Sequence, residues 1–533
     1  MVSTIERWVG YGAVAAFFIV AGPGCDDSCA FAFRCATVET TGGGSGTGGE
    51  GGSGGGEANP CPDDPADGPV APECGVWVAA SWGADAKDGT QAAPVATLAA
   101  AVELALNGTG RIYACGETYV ETVKLPAGIS LAGGFSCERG FWKYEGEKAR
   151  ANVQPMVPGV PAITLLDGTA GSLITDIRVE AADAIEPGGS SIAILALGTF
   201  VTIKRSEIIA GDAADGADGE DGSHDGFPAP GGLEGKDGAN ACTADPGAGG
   251  DTVTLACGGV DSAGGAGGDG GELFANDGAE GVAPPEPNDL EYGAGGKGES
   301  VARGTACTGG AGGQQGQAGK DGDAALGTGT LTKEGYRRKD GGDGVDGMPG
   351  QGGGGGGGSI GSAILCGAAL SGGAGGGSGG TGGCGGRGGK GGQAGGSSIA
   401  VAVASGWVLV DSGRLVSGRG GKGGRGGSRQ KGGPPGLPGK GGMGFGGASG
   451  VKAGCSGGPG GWGGNGGSGA GGQGGHSLSM GIAPGAAGTP WMSVEFSFGP
   501  MGMGGDGGDP AIKGLSGANG LATSHHVFNV SPP

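Results

Sequence analysis

Five charged side chains are the first candidates for chemistry in this 533-residue chain. Asp176 and Arg178 lie two residues apart and so would project from one face of a strand, and Lys204, Arg205 and Glu207 follow on a later stretch of the same texture. Carboxylates that hold a divalent cation, beside a base that takes a proton, would suit such a set if one groove collected both stretches. The plainer reading is a group of exposed ion pairs worth little to stability, and no catalytic residue is assigned. The four histidines, His224, His476, His525 and His526, sit in glycine-rich segments or near the tail, none beside a Ser or Cys in a GxSxG-type turn. Residues 341–349 (GGDGVDGMP) fit the calcium nonapeptide GGxGxDxUx. That site needs tandem copies on adjacent turns, and 504–512 puts Ala511 where a bulky apolar residue belongs. No metal ligand is assigned and no cofactor is expected. Residues 419–431 (RGGKGGRGGSRQK) carry the charge of a nucleic-acid module without the aromatic rings that stack on bases, and GxxxxGK[ST] is absent. No nucleic-acid partner is expected.

Thirteen cysteines with no CxxC pair favour disulfides in an exported chain over a metal site. Proximity suggests Cys61 with Cys74 and Cys115 with Cys137, and leaves the other pairings open. The first 24 residues place Arg7 before an apolar run at 8–21 (WVGYGAVAAFFIVA), too short to span a membrane comfortably and suited to an export signal. Gly22-Pro23-Gly24 before Cys25 resembles the lipobox of bacterial lipoproteins, although Gly22 stands where that family has an aliphatic residue. The resemblance implies an acylated Cys25 as mature N-terminus, attachment to a membrane, and a place in the bacterial cell envelope or on its surface. Residues 36–59, rich in Gly, Ser and Thr, read as a tether of roughly 25–30 Å.

What must position any site is a repeat. Residues 190–211 (SSIAILALGTFVTIKRSEIIAG) return without a gap as 397–418 (SSIAVAVASGWVLVDSGRLVSG), aligning Ile192 with Ile399, Phe200 with Trp407, Val201 with Val408 and Ile208 with Leu415. A poorer third copy starts at Gly474 and ends at 491–499 (WMSVEFSFG). Between Pro60 and Gly211 run many two- or three-residue apolar-x-apolar strands, such as 123–125, 163–165 and 177–179, divided by Gly, Pro, Asp and Asn turns. Residues 94–107 (PVATLAAAVELALN) space Val95, Leu98, Val102 and Leu106 for one amphipathic helix, with Pro94 in its first turn and Gly108 at its stop. Beyond 211 come Gly-Gly-x triplets, whose period matches a polyproline II-type helix. With 146 Gly and 29 Pro, a single core of ordinary density is not expected. The net charge of -22 is segregated, with 19 Asp or Glu against two Lys at 211–300 and ten Lys or Arg against one Asp at 385–452. These blocks could attract each other or a partner, or simply be solvated.

The order of strand, helix and short strands over about 70–211 resembles the right-handed parallel β-helices of the pectate-lyase-like superfamily, in which a short helix caps the first rung. Residues 211–520 resemble the polymorphic glycine-rich (PGRS) proteins of bacterial surfaces, without the Pro-Glu domain of their mycobacterial members. The expected fold is therefore all-β: a right-handed parallel β-helix with a short N-terminal capping helix and long glycine-rich loops between rungs, extended or disordered. The expected divisions are a signal at 1–24, anchor and tether at 25–59, β-helix at 60–211 and glycine-rich repeats with interspersed rungs at 212–533. The resemblances imply a non-enzymatic, structural or adhesive surface protein that meets anionic or neutral polysaccharide. The alternative is a carbohydrate-active protein, polysaccharide lyase-like or polysaccharide-binding, using the groove of Asp176, Arg178, Lys204, Arg205 and Glu207.

Overall fold

Apolar triplets too short for independent strands can be stable only if stacked neighbours share their backbone bonds, and the computed structural model stacks them. It describes residues 60–529 apart from Arg139, His224, 283–290, 302–303 and Lys513, and omits the side chains of Trp491 and Met492. The expected signal, the tether and Cys25 lie outside the described residues. The described residues belong to one compact unit, so the boundary expected at 211/212 falls inside it.

Sixteen strands form one sheet; Phe141–Tyr144 pairs antiparallel with Ser130–Glu138, and the other fifteen follow three parallel ladders. The first stacks Val76–Val78, Arg111–Cys115, Ser130–Glu138, Gly171–Thr175, and then the middle parts of the long strands Ser191–Lys204 and Ser398–Ser417. The second stacks Thr118–Tyr119, Ala151–Val153, Ile177–Glu180, Ser206–Ile209 and the end of Ser398–Ser417. The third stacks Val123–Leu125, Ile163–Leu165, the starts of the two long strands, Ser477–Ile482 and Ala522–Val527. Ala487–Phe498 closes the first and second ladders. The copies found in the sequence lie against each other in the alignment read from it: Ile192 faces Ile399, Phe200 faces Trp407 and Ile208 faces Leu415.

Inward side chains from all three ladders, among them Ile112, Leu131, Val153, Ile163, Ile174, Val179, Ile194, Val401, Val408 and Leu415, meet in one buried cluster. The helix Leu98–Leu106 covers its start with Leu98, Ala101, Val102 and Ala105. It is shorter than the periodicity implied. The Thr97 side chain caps Ala100 N–H, Asp85 takes the N–H groups of Ala96 and Thr97, and Glu121 those of Leu98 and Ala99, so carboxylates hold the positive end in place. Val95 bridges to Val78 instead of joining the helix, and Leu106 is exposed.

The glycine-rich segments are hydrogen-bonded and packed. Along 371–396 the N–H groups point in turn to different neighbours: Gly377, Gly380 and Gly383 to Cys455, Gly458 and Gly461; Gly375, Ser378 and Thr381 to Ala239, Lys236 and Leu233; Gly376 and Gly379 to Gly268 and Gly265. Carbonyls of the same segment accept from Gly250, Gly353 and Gly442. Three residues per turn send successive peptide groups in three directions, so an interior segment is surrounded by other segments of the same chain. The consequence is a rule for side chains. At 352–358, a run of seven buried glycines, a Cβ on Gly354, Gly355 or Gly356 would lie under 3.0 Å from the carbonyl oxygens of Ala294, Ala266 and Cys455 respectively. On segments nearer the surface one position in three turns outward, as Lys422, Arg425, Pro459 and Trp462 do, which is why those tracts read Gly-Gly-x.

Cysteines lie in five pairs at bonding distance, Cys61–Cys74, Cys115–Cys137, Cys242–Cys366, Cys257–Cys384 and Cys307–Cys455. The last three join glycine segments 124, 127 and 148 residues apart. Gly355→Ala is expected to destabilise by about 3 kcal/mol or more, because rigid backbone on the facing segment must move. Lys422→Ala, at an outward third position, is expected to stay within about 0.5 kcal/mol. Denaturant unfolding of the two variants compares them.

Candidate functional site

A groove of about 520 Å³ runs across the outer face of the first ladder. Strand alternation makes it: Val201 and Ile203 turn into the core, so Phe200, Thr202 and Lys204 turn out. Phe200 is 49% exposed and pairs in register with Trp407, 38% exposed, which places an aromatic residue at the same position of two neighbouring strands. Gly171 faces Phe200 on the other side and, lacking a side chain, leaves a notch beside the ring. Ser130 and Ser172 line the groove with their hydroxyls accepting the N–H groups of Leu173 (3.0 Å) and Gly128 (3.1 Å). Both hydroxyls thus act as acceptors for backbone amides, and Ser172 is itself buried. Arg111 is paired with Asp63, and Lys204 lies 3.5 Å from Asp64. The groove is thus charge-balanced, with rings and hydroxyls side by side.

The five residues singled out for chemistry fall into two networks. Asp176 does not share a strand face with Arg178: its φ of 53° places it at a left-handed corner between Gly171–Thr175 and Ile177–Glu180, where the chain turns from first to second ladder. It is fully buried and accepts from Tyr144 Oη at 2.7 Å and from Arg205 Nε and Nη2 at 3.0 and 2.9 Å. Arg205, the next rung's corner with φ 47°, also reaches Asp64 at 2.6 Å. Burial opposes the guanidinium charge, but the bonds to Asp176 and Asp64 outweigh it and raise the Arg205 pKa. For Asp64, burial likewise works against the charge and the Arg205 bond prevails, holding its carboxyl below the usual range. Burial, and then the bond to Asp176, raises the Tyr144 phenol. These bonds tie the N-terminal segment to the bends at Asp176 and Arg205. Arg178 belongs to a second set on the outside of the second ladder, bonded to Glu207 at 2.6 Å and Glu180 at 3.0 Å, with Arg414 reaching Glu207 at 3.0 Å. The lyase-like groove expected of the five is not assembled.

His224 lies outside the described residues, and His525 is exposed with Nδ1 3.2 Å from Ser524 Oγ. His476 is fully buried between Tyr336, His526 and Phe528. Its Nδ1 accepts Leu521 N–H at 2.9 Å, so Nε2 carries the proton and donates to Thr328 O at 2.7 Å. Burial is the main cause that pushes its pKa down to about 4. In the nonapeptide stretch, Asp343 accepts Gly391 N–H and pairs with Lys390, while Asp346 accepts Gly388 N–H. Their oxygens serve the glycine segments as acceptors. The basic run is interleaved with acid: Arg419, Lys422, Arg425 and Ser428 donate backbone N–H to Asp212, Asp215, Asp218 and Asp221, and Arg419 also pairs with Asp215. Cys115 Sγ, the Glu117 carboxylate and Cys137 Sγ lie within 4.8 Å of one another, but the sulfurs are bonded and offer no thiolate.

Reasoning from sequence missed the Phe200/Trp407 platform as a site, though its signal was the pairing of two aromatics at an outward position of both repeats. No family model matches the chain, and neither a curated protein nor a solved structure is similar to it.

Arg205→Ala should cost about 3–5 kcal/mol in chemical denaturation, since it leaves buried Asp176 without its counter-charge. Because His476 binds a proton less readily folded than unfolded, its contribution is complete above pH 6.5 and is lost as pH falls from 6.5 to 4, about 3 kcal/mol in all. Unfolding curves across that window should flatten by this amount in His476→Gln.

Proposed function

We propose that this chain is a non-enzymatic, exported glycine-rich protein of the bacterial cell envelope or surface, held by an acylated Cys25, with a structural or adhesive role. The three ladders are best understood as the faces of a right-handed parallel β-helix of pectate-lyase-like kind, the hand that parallel crossovers adopt, grading into a PGRS-like bundle. The observation that carries the reading is the cysteine arrangement: all ten described cysteines are paired, three pairs joining distant glycine segments, a pattern that belongs in an oxidising compartment. A lyase is not supported, because the candidate acids and bases are consumed in structural pairs.

A neutral surface polysaccharide is the ligand the groove suits best. Sugar C–H faces stack on Phe200 and Trp407, and ring hydroxyls meet Ser130, Ser172 and Thr202. The balanced pairs Arg111–Asp63 and Lys204–Asp64 leave no net charge to select an acidic chain.

Mass spectrometry of the mature N-terminus from a bacterial host should find an acylated Cys25, and an unmodified chain still carrying residues 1–24 would overturn the anchor. Affinity electrophoresis in gels of neutral glucans or mannans should retard the protein, and Trp407→Ala should weaken this about tenfold with unfolding unchanged. Equal retardation of the variant, or retardation in none of the gels, removes the glycan reading.

A further inference from the structure

The two cations that line the groove belong to the stacked strands, Arg111 at the start of Arg111–Cys115 and Lys204 at the end of Ser191–Lys204. Their acids come from a different element. Asp63 and Asp64 lie side by side in the segment before the first strand, inside the loop that Cys61–Cys74 closes, and pair with Arg111 and Lys204 respectively. Pro62 and Pro65 flank them and fix the backbone on either side. The loop is held against the coil as well: Ala71 N–H donates to Pro60 O at 3.0 Å, Trp77 Nε1 to Pro72 O at 2.8 Å, and Ala66 N–H to the Asp64 carboxylate at 3.1 Å.

The two acids are not equivalent. The Asp64 side chain is 5% exposed and Arg205 takes both its oxygens, at 2.6 and 3.1 Å, so its contact with Lys204 is the lesser part of a structural bridge. Asp63 stands at the rim, its side chain 82% exposed beside an Arg111 side chain that is 27% exposed. Of this pair, Asp63 is the partner that an incoming ligand meets first.

We propose that Asp63 sets the charge selectivity of the groove by occupying the Arg111 guanidinium, which would otherwise receive the carboxylate of an acidic sugar. This rests on the groove being a glycan site and adds the residue that discriminates among glycans. A planar guanidinium is the side chain best shaped to take a carboxylate through two N–H bonds. An acidic chain must displace Asp63, which is tethered beside Arg111, and then lie next to its charge. A neutral chain need do neither. The pair is exposed, so its removal shows as a modest, salt-sensitive gain in binding and leaves the fold in place.

The test titrates the full chain with dextran and with carboxymethyl dextran, which share a backbone and differ in their carboxylates. The parent is expected to bind carboxymethyl dextran more weakly than dextran. Asp63→Asn should bind carboxymethyl dextran about fivefold more tightly than the parent at low salt, the equivalent of one surface ion pair, and lose the gain at about 0.5 M salt. Adding Arg111→Gln should abolish the gain. Asp67→Asn makes the same change of net charge at an exposed position of the same loop that does not line the groove, and should show none. Unchanged thermal unfolding confirms that the variants fold. The proposal is overturned if the parent binds dextran and Asp63→Asn gains nothing for the acidic polymer, if Asp67→Asn gains as much, or if the gain survives Arg111→Gln. A gain in Asp63→Asn that Arg111→Gln removes, with dextran bound by no form, leaves Asp63 its role and counts against a neutral ligand alone; neither polymer bound by any form removes the glycan site and the proposal with it.

Discussion

Every backbone N–H and C=O removed from water needs a partner, and this chain meets that demand with stacked parallel strands and with glycine segments bonded to one another. In the ladders, each triplet bonds to the triplets before and after it. In the glycine region, three residues per turn direct successive amides to three neighbouring segments, and close approach is possible only where no Cβ intervenes. Glycine loses more conformational freedom on folding than any other residue, so a bundle of this kind is held by the number of its hydrogen bonds and by cross-links more than by apolar burial. The three long-range disulfides are consistent with that: each joins segments that the chain brings together only after more than a hundred intervening residues.

The two halves of the architecture share one register. Residues 207 apart pair in the ladders, as Phe200 does with Trp407, and the same spacing continues beyond the strands, where Asp212, Asp215, Asp218 and Asp221 take the N–H groups of residues 419, 422, 425 and 428. The ladder therefore sets the alignment of the glycine segments that leave it. The segregation of charge follows from this alignment: acidic third positions on one outer segment lie beside basic third positions on the next. Their attraction is screened at the surface and small pair by pair, but the carboxylates also cap amides that would otherwise lack a protein acceptor.

Buried charge in this molecule serves corners. Asp176 and Arg205 occupy left-handed backbone conformations at equivalent bends of successive rungs, and each neutralises the other across the stack. Asp64 and Tyr144 complete the set, joining the N-terminal segment to the stacked strands. On the outside of the first ladder, alternation forces one row of side chains into solvent, and the repeat places an aromatic residue in that row twice.

Much was legible in the sequence, for local reasons. Apolar-x-apolar triplets have one buried face whatever surrounds them, Gly-Gly-x states a threefold period, and a gapless repeat fixes which residues face each other; the parallel all-β stacking, the covering helix and the Ile192–Ile399 pairing follow. Other features depended on contacts far apart in the chain. A left-handed corner at Asp176 put that residue and Arg178 on different faces, which a count of two along a strand does not reveal. Whether Gly-Gly-x tracts pack or stay solvated is decided by neighbours more than a hundred residues away, as are the partners of Cys242, Cys257 and Cys307. The covering of Ile192 and Ile399 by a hairpin from the glycine region, and the exposure of Ile364 at the bundle's end, were likewise settled only by three-dimensional packing, because burial depends on what arrives from elsewhere in the chain.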